Sequence, residues 1–282
     1  MIDSHCHLAG EEFADDLEAV VGRAREAGLV RCLVILAADE DAEFERAERV
    51  SRAWPDVKYA IGVHPHHAHK FADSPDAAAE LTADRLQMMP AACAVGEIGL
   101  DYHYDFSPRD VQHAVFRAQL RLARSRQLPV VIHTREAEED TLRIIHEESQ
   151  GDLRGVFHCF SGDGAAVTRA LATGFHVSIP GIVTFPKSTA LRDAARDVPA
   201  ERLLIETDSP YLAPIPFRGT RNEPSYVVKT LALVAELRGV TRDSLAAQLV
   251  NNYDELFRSQ RRNSPFDPSS EPSSEPDTIW GD

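Results

Sequence analysis

Met1-Ile2-Asp3-Ser4-His5-Cys6-His7 opens the chain, and its reading decides the fold. Two apolar residues lead into a pair of histidines spaced by one. Alternate residues of a strand point to the same side, so both imidazoles share one face. The arrangement does not stand alone. Short β-rich runs follow at residues 31–36, 57–63, 93–97, 129–133, 154–158, 175–179 and 203–207, which with residues 1–5 makes eight expected strands. Several end on a histidine or carboxylate: Glu97, His133, His158 and, just after the last, Asp208.

Between these runs lie segments with helical apolar spacing, such as Leu17, Val20, Val21 and Ala24, or Val115, Phe116, Leu120, Leu122 and Ala123. Ser107-Pro108 predicts an N-cap with proline in the first turn, and Thr241 predicts the cap of a helix running to about Phe257. Strands alternating with helices imply an α/β fold with a parallel sheet, and eight units predict closure into a (β/α)8 barrel. An open, doubly wound sheet fits less well. No G-x-G-x-x-G follows the first run, and polar residues recur at almost every strand end instead of at one switch point.

A chain of 282 residues is filled by one such barrel of about 250 residues. Residues 1–258 are therefore expected to form one large domain. Residues 259–282 are rich in Ser, Pro and Glu, with Ser-Ser-Glu-Pro at 269–272 and again at 273–276, and read as a disordered acidic tail. No apolar run reaches the roughly 20 residues of a membrane span, and no export signal is legible at the start. Cys6, Cys32, Cys93 and Cys159 are widely spaced, which predicts reduced core thiols in a cytoplasmic protein. The net charge of −15 speaks against nucleic-acid binding by bulk electrostatics, although it leaves room for a local basic mouth. Five acidic residues and no basic ones lie beyond position 264, so of the net −15 residues 1–264 carry −10.

In a barrel of this kind the active site sits at the C-terminal strand ends. His5, His7, Glu97, His133, His158 and Asp208 all fall there. A single buried histidine is ordinarily a satisfied core residue. Six polar side chains without partners would cost about 1 to 3 kcal/mol apiece, a cost that metal ions relieve. Four imidazoles and two carboxylates suffice for two divalent ions with a bridging carboxylate. The mixed donors suit Zn, Mn or Ni, and Mg where phosphate oxygens complete the shell. Arg135, Lys187, Arg218 and Arg221 are candidates for holding an anionic group, and His64 ends the third run within reach of substrate. His66, His67 and His69 read as surface residues. Cys159, next to His158, should face the surrounding helices.

Six blocks, in order, carry a resemblance. They are D-S-H-C-H-L at 3–8, G-V-H-P-H at 62–66, G-E-I-G-L-D-Y at 96–102, H-T-R-E-A at 133–137, F-H-C-F-S-G at 157–162 and E-T-D-S-P-Y-L at 206–212. In these the chain resembles the TatD family of metal-dependent deoxyribonucleases, within the amidohydrolase-like barrels. R-N-E-P at 221–224 looks like that family's late loop, whereas the acidic tail lies outside its pattern.

The resemblance implies that His5, His7, Glu97 and Asp208 hold one metal ion and Glu97, His133 and His158 the other, with Glu97 bridging. It implies hydrolysis of DNA phosphodiesters, 3′ to 5′ from single-stranded ends. Asp208 would accept the proton of the attacking water, and Arg135 and His64 would bind the phosphoryl group. Tyr102, Phe160, Phe185 and Tyr211 are candidates for stacking a terminal base. A monomeric, cytoplasmic nuclease of DNA repair is the expected setting. Two other readings compete: a two-metal hydrolase of a lactone, amide or D-aminoacyl-tRNA ester, and a catalytically silent scaffold. Glu97 stands where a carbamylated lysine would bridge the metals in the small-molecule version, which speaks against it.

Overall fold

The computed structural model describes residues 1–104 and 106–258, so the tail expected at 259–282 lies outside the described residues. Eight strands form one parallel sheet in consecutive order: β1 (Ile2–Cys6), β2 (Arg31–Ala37), β3 (Lys58–Gly62), β4 (Ala92–Asp101), β5 (Val130–Arg135), β6 (Gly155–Phe157), β7 (His176–Ile179) and β8 (Leu203–Ile205). Their interiors are almost wholly buried Val, Ile, Leu and Ala, as strands covered on both faces require. Helices α1 (Leu17–Glu26), α2 (Asp41–Ala53), α3 (Pro75–Met88), α4 (Arg109–Ser125), α5 (Glu138–Ser149), α6 (Gly164–Leu171), α7 (Thr189–Asp197), α8 (Val227–Arg238) and α9 (Arg242–Leu256) supply the outer layer.

The first and last strands meet, which nearly closes the barrel. Cys6 bridges to Ser209, His7 N–H donates to the Ser209 carbonyl at 2.7 Å, and Asp208 N–H donates to the His5 carbonyl at 3.0 Å. Deeper in the seam, Thr207 donates its N–H and hydroxyl to the Asp3 carboxylate at 2.9 and 2.6 Å. These bonds set His5, His7 and Asp208 side by side although some 200 residues separate them.

Two buried glutamines of α4 fix the opposite side of the mouth. Gln119 exchanges both its amide bonds with the backbone of Val63, at 2.8 and 2.9 Å. Gln112 does the same for Asp101, at 2.9 and 3.0 Å. A helix that packs by its Val115, Phe116, Leu120 and Ala123 face thus also holds the ends of β3 and β4. The Thr241 cap is present, accepting from Ser244 N–H at 3.2 Å. Ser107 is not a cap. Pro108 takes that position, and the Ser107 hydroxyl instead donates to the His66 carbonyl and accepts from His69 N–H. The nearby loop offers it better partners than the first turn of α4 does.

Candidate metal centre

Glu97 stands at the middle of the mouth, 6% exposed. Its Oε1 lies 2.6 Å from His158 Nε2, 2.7 Å from His133 Nδ1 and 3.5 Å from His64 Nε2. Its Oε2 faces the other way, 3.4 Å from His5 Nε2. His5 and His7 bring their Nε2 atoms within 3.3 Å of each other, and each of these lies 3.6 Å from Asp208 Oδ1. One carboxylate therefore joins two sets of donors: His5, His7 and Asp208 on one side, His133 and His158 on the other. His64 lies on the second side.

Local backbone explains how short strands reach this point. β6 and β8 stop at Phe157 and Ile205, before the ends expected at 158 and 207. His158 and Asp208 ride on the turns just beyond, where Cys159 and Asp208 take positive φ values of 45° and 55°. Such left-handed conformations at non-glycine residues concentrate at functional sites. Opposite them, β4 is longer than expected and presses on β5 at Gly99, paired with His133. A Cβ at Gly99, whose φ is +147°, would lie 1.9 Å from the His133 carbonyl oxygen.

The electrostatics are those of a cation site. Burial pushes the Glu97 carboxyl upward, but His158, His64 and the His133 hydrogen bond overcome it and hold the group well below the usual carboxylate range. Burial and the adjacent His158 ring depress His5, whose ring stacks on that of His158 at 3.9 Å. Both stacked rings cannot be charged cheaply. The buried Nδ1 of His5 has no hydrogen-bond partner among the described residues, and ring nitrogens face one another across the carboxylate. Convergent lone pairs on imidazole and carboxylate fit a divalent ion, which supplies the positive charge without protonating the rings.

Three carboxylates not singled out from the sequence complete the surroundings. Asp101 Oδ2 accepts from His133 Nε2 at 3.1 Å and from His66 Nε2 at 2.8 Å. Glu206, fully buried, accepts from Cys159 N–H at 2.5 Å and lies 3.6 Å from His158 Nδ1. Asp3 anchors the seam already described. The signal was present in the quoted blocks, because Asp101 and Glu206 each lie within four residues of an expected ligand.

Other expectations shift. His66 is part of the cluster, not of the surface, because Asp101 draws it inward. His67 is half-buried against Asp39, with Nδ1 2.9 Å from that carboxylate. Arg221 is committed to Asp16 at 2.7 and 2.8 Å, so it holds the late loop to the start of α1 rather than an anion. Arg218 lies over the Phe185 ring, while Lys187 is exposed. Cys159 borders the mouth cavity instead of facing only the helices, and burial keeps its thiol well above the ordinary range. Arg135 is exposed at the rim of that cavity, which measures about 820 Å³, a size suited to a small ligand or a terminal nucleotide.

A (β/α)8 barrel of amidohydrolase-like fold with histidines and carboxylates gathered at its C-terminal mouth is the arrangement of a metal-dependent hydrolase, the class to which the chain's relatives belong. The chain belongs to the TatD-related DNase family, whose model matches residues 2–258. It is 38% identical over 260 residues to the uncharacterized metal-dependent hydrolase YabD of Bacillus subtilis, covering 92% of this chain and 99% of that one. It is 37% identical over 263 residues to the 3'-5' ssDNA/RNA exonuclease TatD of Erwinia tasmaniensis, covering 91% and 99%. The crystal structure of YjjV, a TatD homologue from Escherichia coli, superposes with a TM-score of 0.82 at 31% identity, covering 91% and 97%. Among the described residues no helix is long and apolar enough to cross a membrane.

Proposed function

We propose that the chain is a two-metal nuclease that hydrolyses phosphodiester bonds of single-stranded DNA from the 3′ end. The observation that carries the reading is the placement of Glu97 between two donor sets, His5, His7 and Asp208 against His133 and His158. The Erwinia tasmaniensis relative, named as a single-strand DNA and RNA exonuclease, supports the substrate class. Residues 1–258 would be the catalytic unit, acting as a cytoplasmic monomer in DNA repair, with Mg, Mn or Zn as metal.

Two divalent ions, when bound, would lower the pKa of a water and neutralise charge on the phosphoryl oxygens. The chain's own groups do the rest. Asp208 is ionised, because His7, His5 and His158 outweigh the burial that would raise its pKa. It would accept the proton of the attacking water, with Glu97 holding the two halves of the site in register.

His64 Nδ1 accepts from His66 N–H at 3.1 Å, so its proton resides on Nε2. Burial lowers its pKa to about 4. A neutral N–H donor pointing into the site suits a phosphoryl oxygen better than a metal. Arg135 would add a charged, bidentate contact.

The test is release of mononucleotides from end-labelled single-stranded DNA by chelator-stripped protein, with Glu97→Ala as control. Loss of label from the 3′ end only on restoring Mg or Mn, and only with Glu97 present, supports the reading. Absence of release from protein that binds two ions overturns it in favour of lactones, amides or aminoacyl esters.

A further inference from the structure

Of the four aromatic residues expected to stack a base, only Tyr211 stands open in the mouth. Tyr102 lies under Arg109 and donates its hydroxyl to Asp140 at 2.6 Å, Phe160 is buried, and Phe185 lies under Arg218. A different pair is exposed instead. Tyr104 and Phe106, in the segment between β4 and α4, are 40% and 58% exposed. Their rings stack at 5.2 Å with 14° between planes. His66 stands edge-on to both, at 5.4 and 4.9 Å, and the Arg135 guanidinium lies over Tyr104 at 4.9 Å.

This plate is tied to the centre. Asp101, which holds His133 and His66, also accepts the N–H groups of His103 and Tyr104 through Oδ1, at 2.9 and 3.1 Å. Tyr102 N–H donates to the Arg135 carbonyl at 2.9 Å, joining the same segment to the end of β5. Tyr104 and Arg135 line the cavity that contains Glu97. Arg135 is exposed, and among the described residues its guanidinium has no carboxylate partner.

We propose that Tyr104, backed by Phe106, is the stacking platform for a nucleobase of the bound strand. The base takes the place of the guanidinium over Tyr104, and Arg135 pairs with the adjoining backbone phosphate. A flat, weakly hydrated heterocycle joined to a phosphate is the ligand that satisfies both parts at once. Every base offers such a face, so the platform is indifferent to sequence. The inference rests on the nucleic-acid reading above.

The experiment compares a fluorescein-labelled thymidine trinucleotide with its abasic counterpart, by anisotropy in chelator and by kcat/KM with metal restored. The wild type is expected to prefer the base-bearing strand. Tyr104→Leu, and to a smaller degree Phe106→Leu, should reduce that preference by roughly 5- to 100-fold, the range of one lost base stack. Tyr104→Trp should retain it, and its retention shows that the loop still folds when altered. Equal losses on both strands, or a wild type that does not discriminate, overturn the platform and leave the nuclease reading intact. A wild type that cleaves bis(p-nitrophenyl) phosphate but neither binds nor cleaves either strand overturns the nucleic-acid reading and the platform with it.

Discussion

Asp101 accepts a hydrogen bond from His133 Nε2 at 3.1 Å, while Nδ1 of the same ring points at Glu97 from 2.7 Å. The carboxylate thereby fixes the ring's orientation and tautomer and leaves Nδ1 for the centre. Burial pushes the Asp101 carboxyl up, but the hydrogen bonds from His133 and His66 hold it well below the ordinary range, so it is a full anion. Carboxylates behind metal-binding histidines typically account for 10- to 100-fold in affinity or activity. Asp101→Asn should weaken metal binding by about that much. Calorimetric metal titration checks this, and unchanged affinity would show that packing alone holds His133.

Glu97 is contacted from both sides, so its loss should exceed that of any group acting through another. Glu97→Gln keeps the volume and removes the charge that both donor sets share. Turnover should fall by at least about 100-fold, the upper end for groups one shell further out. Bound metal, measured by elemental analysis, should drop below two ions per chain. Retention of both ions would show that Glu97 does not bridge.

Gly99 has no room for a side chain, and the +147° φ at this position suits glycine alone. Gly99→Ala should destabilise the chain by roughly 3 kcal/mol or more, since strands β4 and β5 must part or the backbone must change. Urea unfolding followed by circular dichroism reads this directly. A loss under about 1 kcal/mol would mean that β4 relaxes without cost.

The barrel was legible because its signals are local. Short apolar runs, helical spacing between them and a histidine or carboxylate at several strand ends need only the chain's own order, and the eight strands appear close to where they were expected. What was not legible depends on register between distant segments. That Asp101 rather than solvent would take up His66 follows from the parallel pairing of β4 with β5, which sets Asp101 beside Arg135, and from the clamp by Gln112. That Arg221 would be claimed by Asp16 depends on a loop after β8 folding back on α1. Tyr104 and Phe106 escaped notice for a similar reason. Nothing in their spacing distinguishes a mouth-facing pair from packing aromatics until Asp101 folds the loop.

His176 gives a pH dependence whose sign is fixed by burial. It opens β7, is 4% exposed, and neither ring nitrogen has a hydrogen-bond partner among the described residues. Burial and the nearby Arg202 lower its pKa to about 4, outweighing the Gly155 and Glu201 backbones, which lie close enough to favour the charged ring without completing a hydrogen bond to the neutral one. The unfolded chain binds this proton near pH 6.5, and the folded chain resists it until about pH 4. The stability that the neutral ring maintains is therefore whole above pH 6.5 and is lost as pH falls toward 4. At one proton and 1.36 kcal/mol per unit, the loss is on the order of 3 kcal/mol. His176→Phe removes the titrating group and should flatten that part of the curve, with His176→Leu guarding against a misfit of the larger ring. Urea unfolding of the three proteins in chelator between pH 7 and 4 measures the difference. Parallel curves would place the acid sensitivity elsewhere, and a wild-type curve that falls by about 2 to 3 kcal/mol more than those of the variants between pH 7 and 4 would assign it to this one ring.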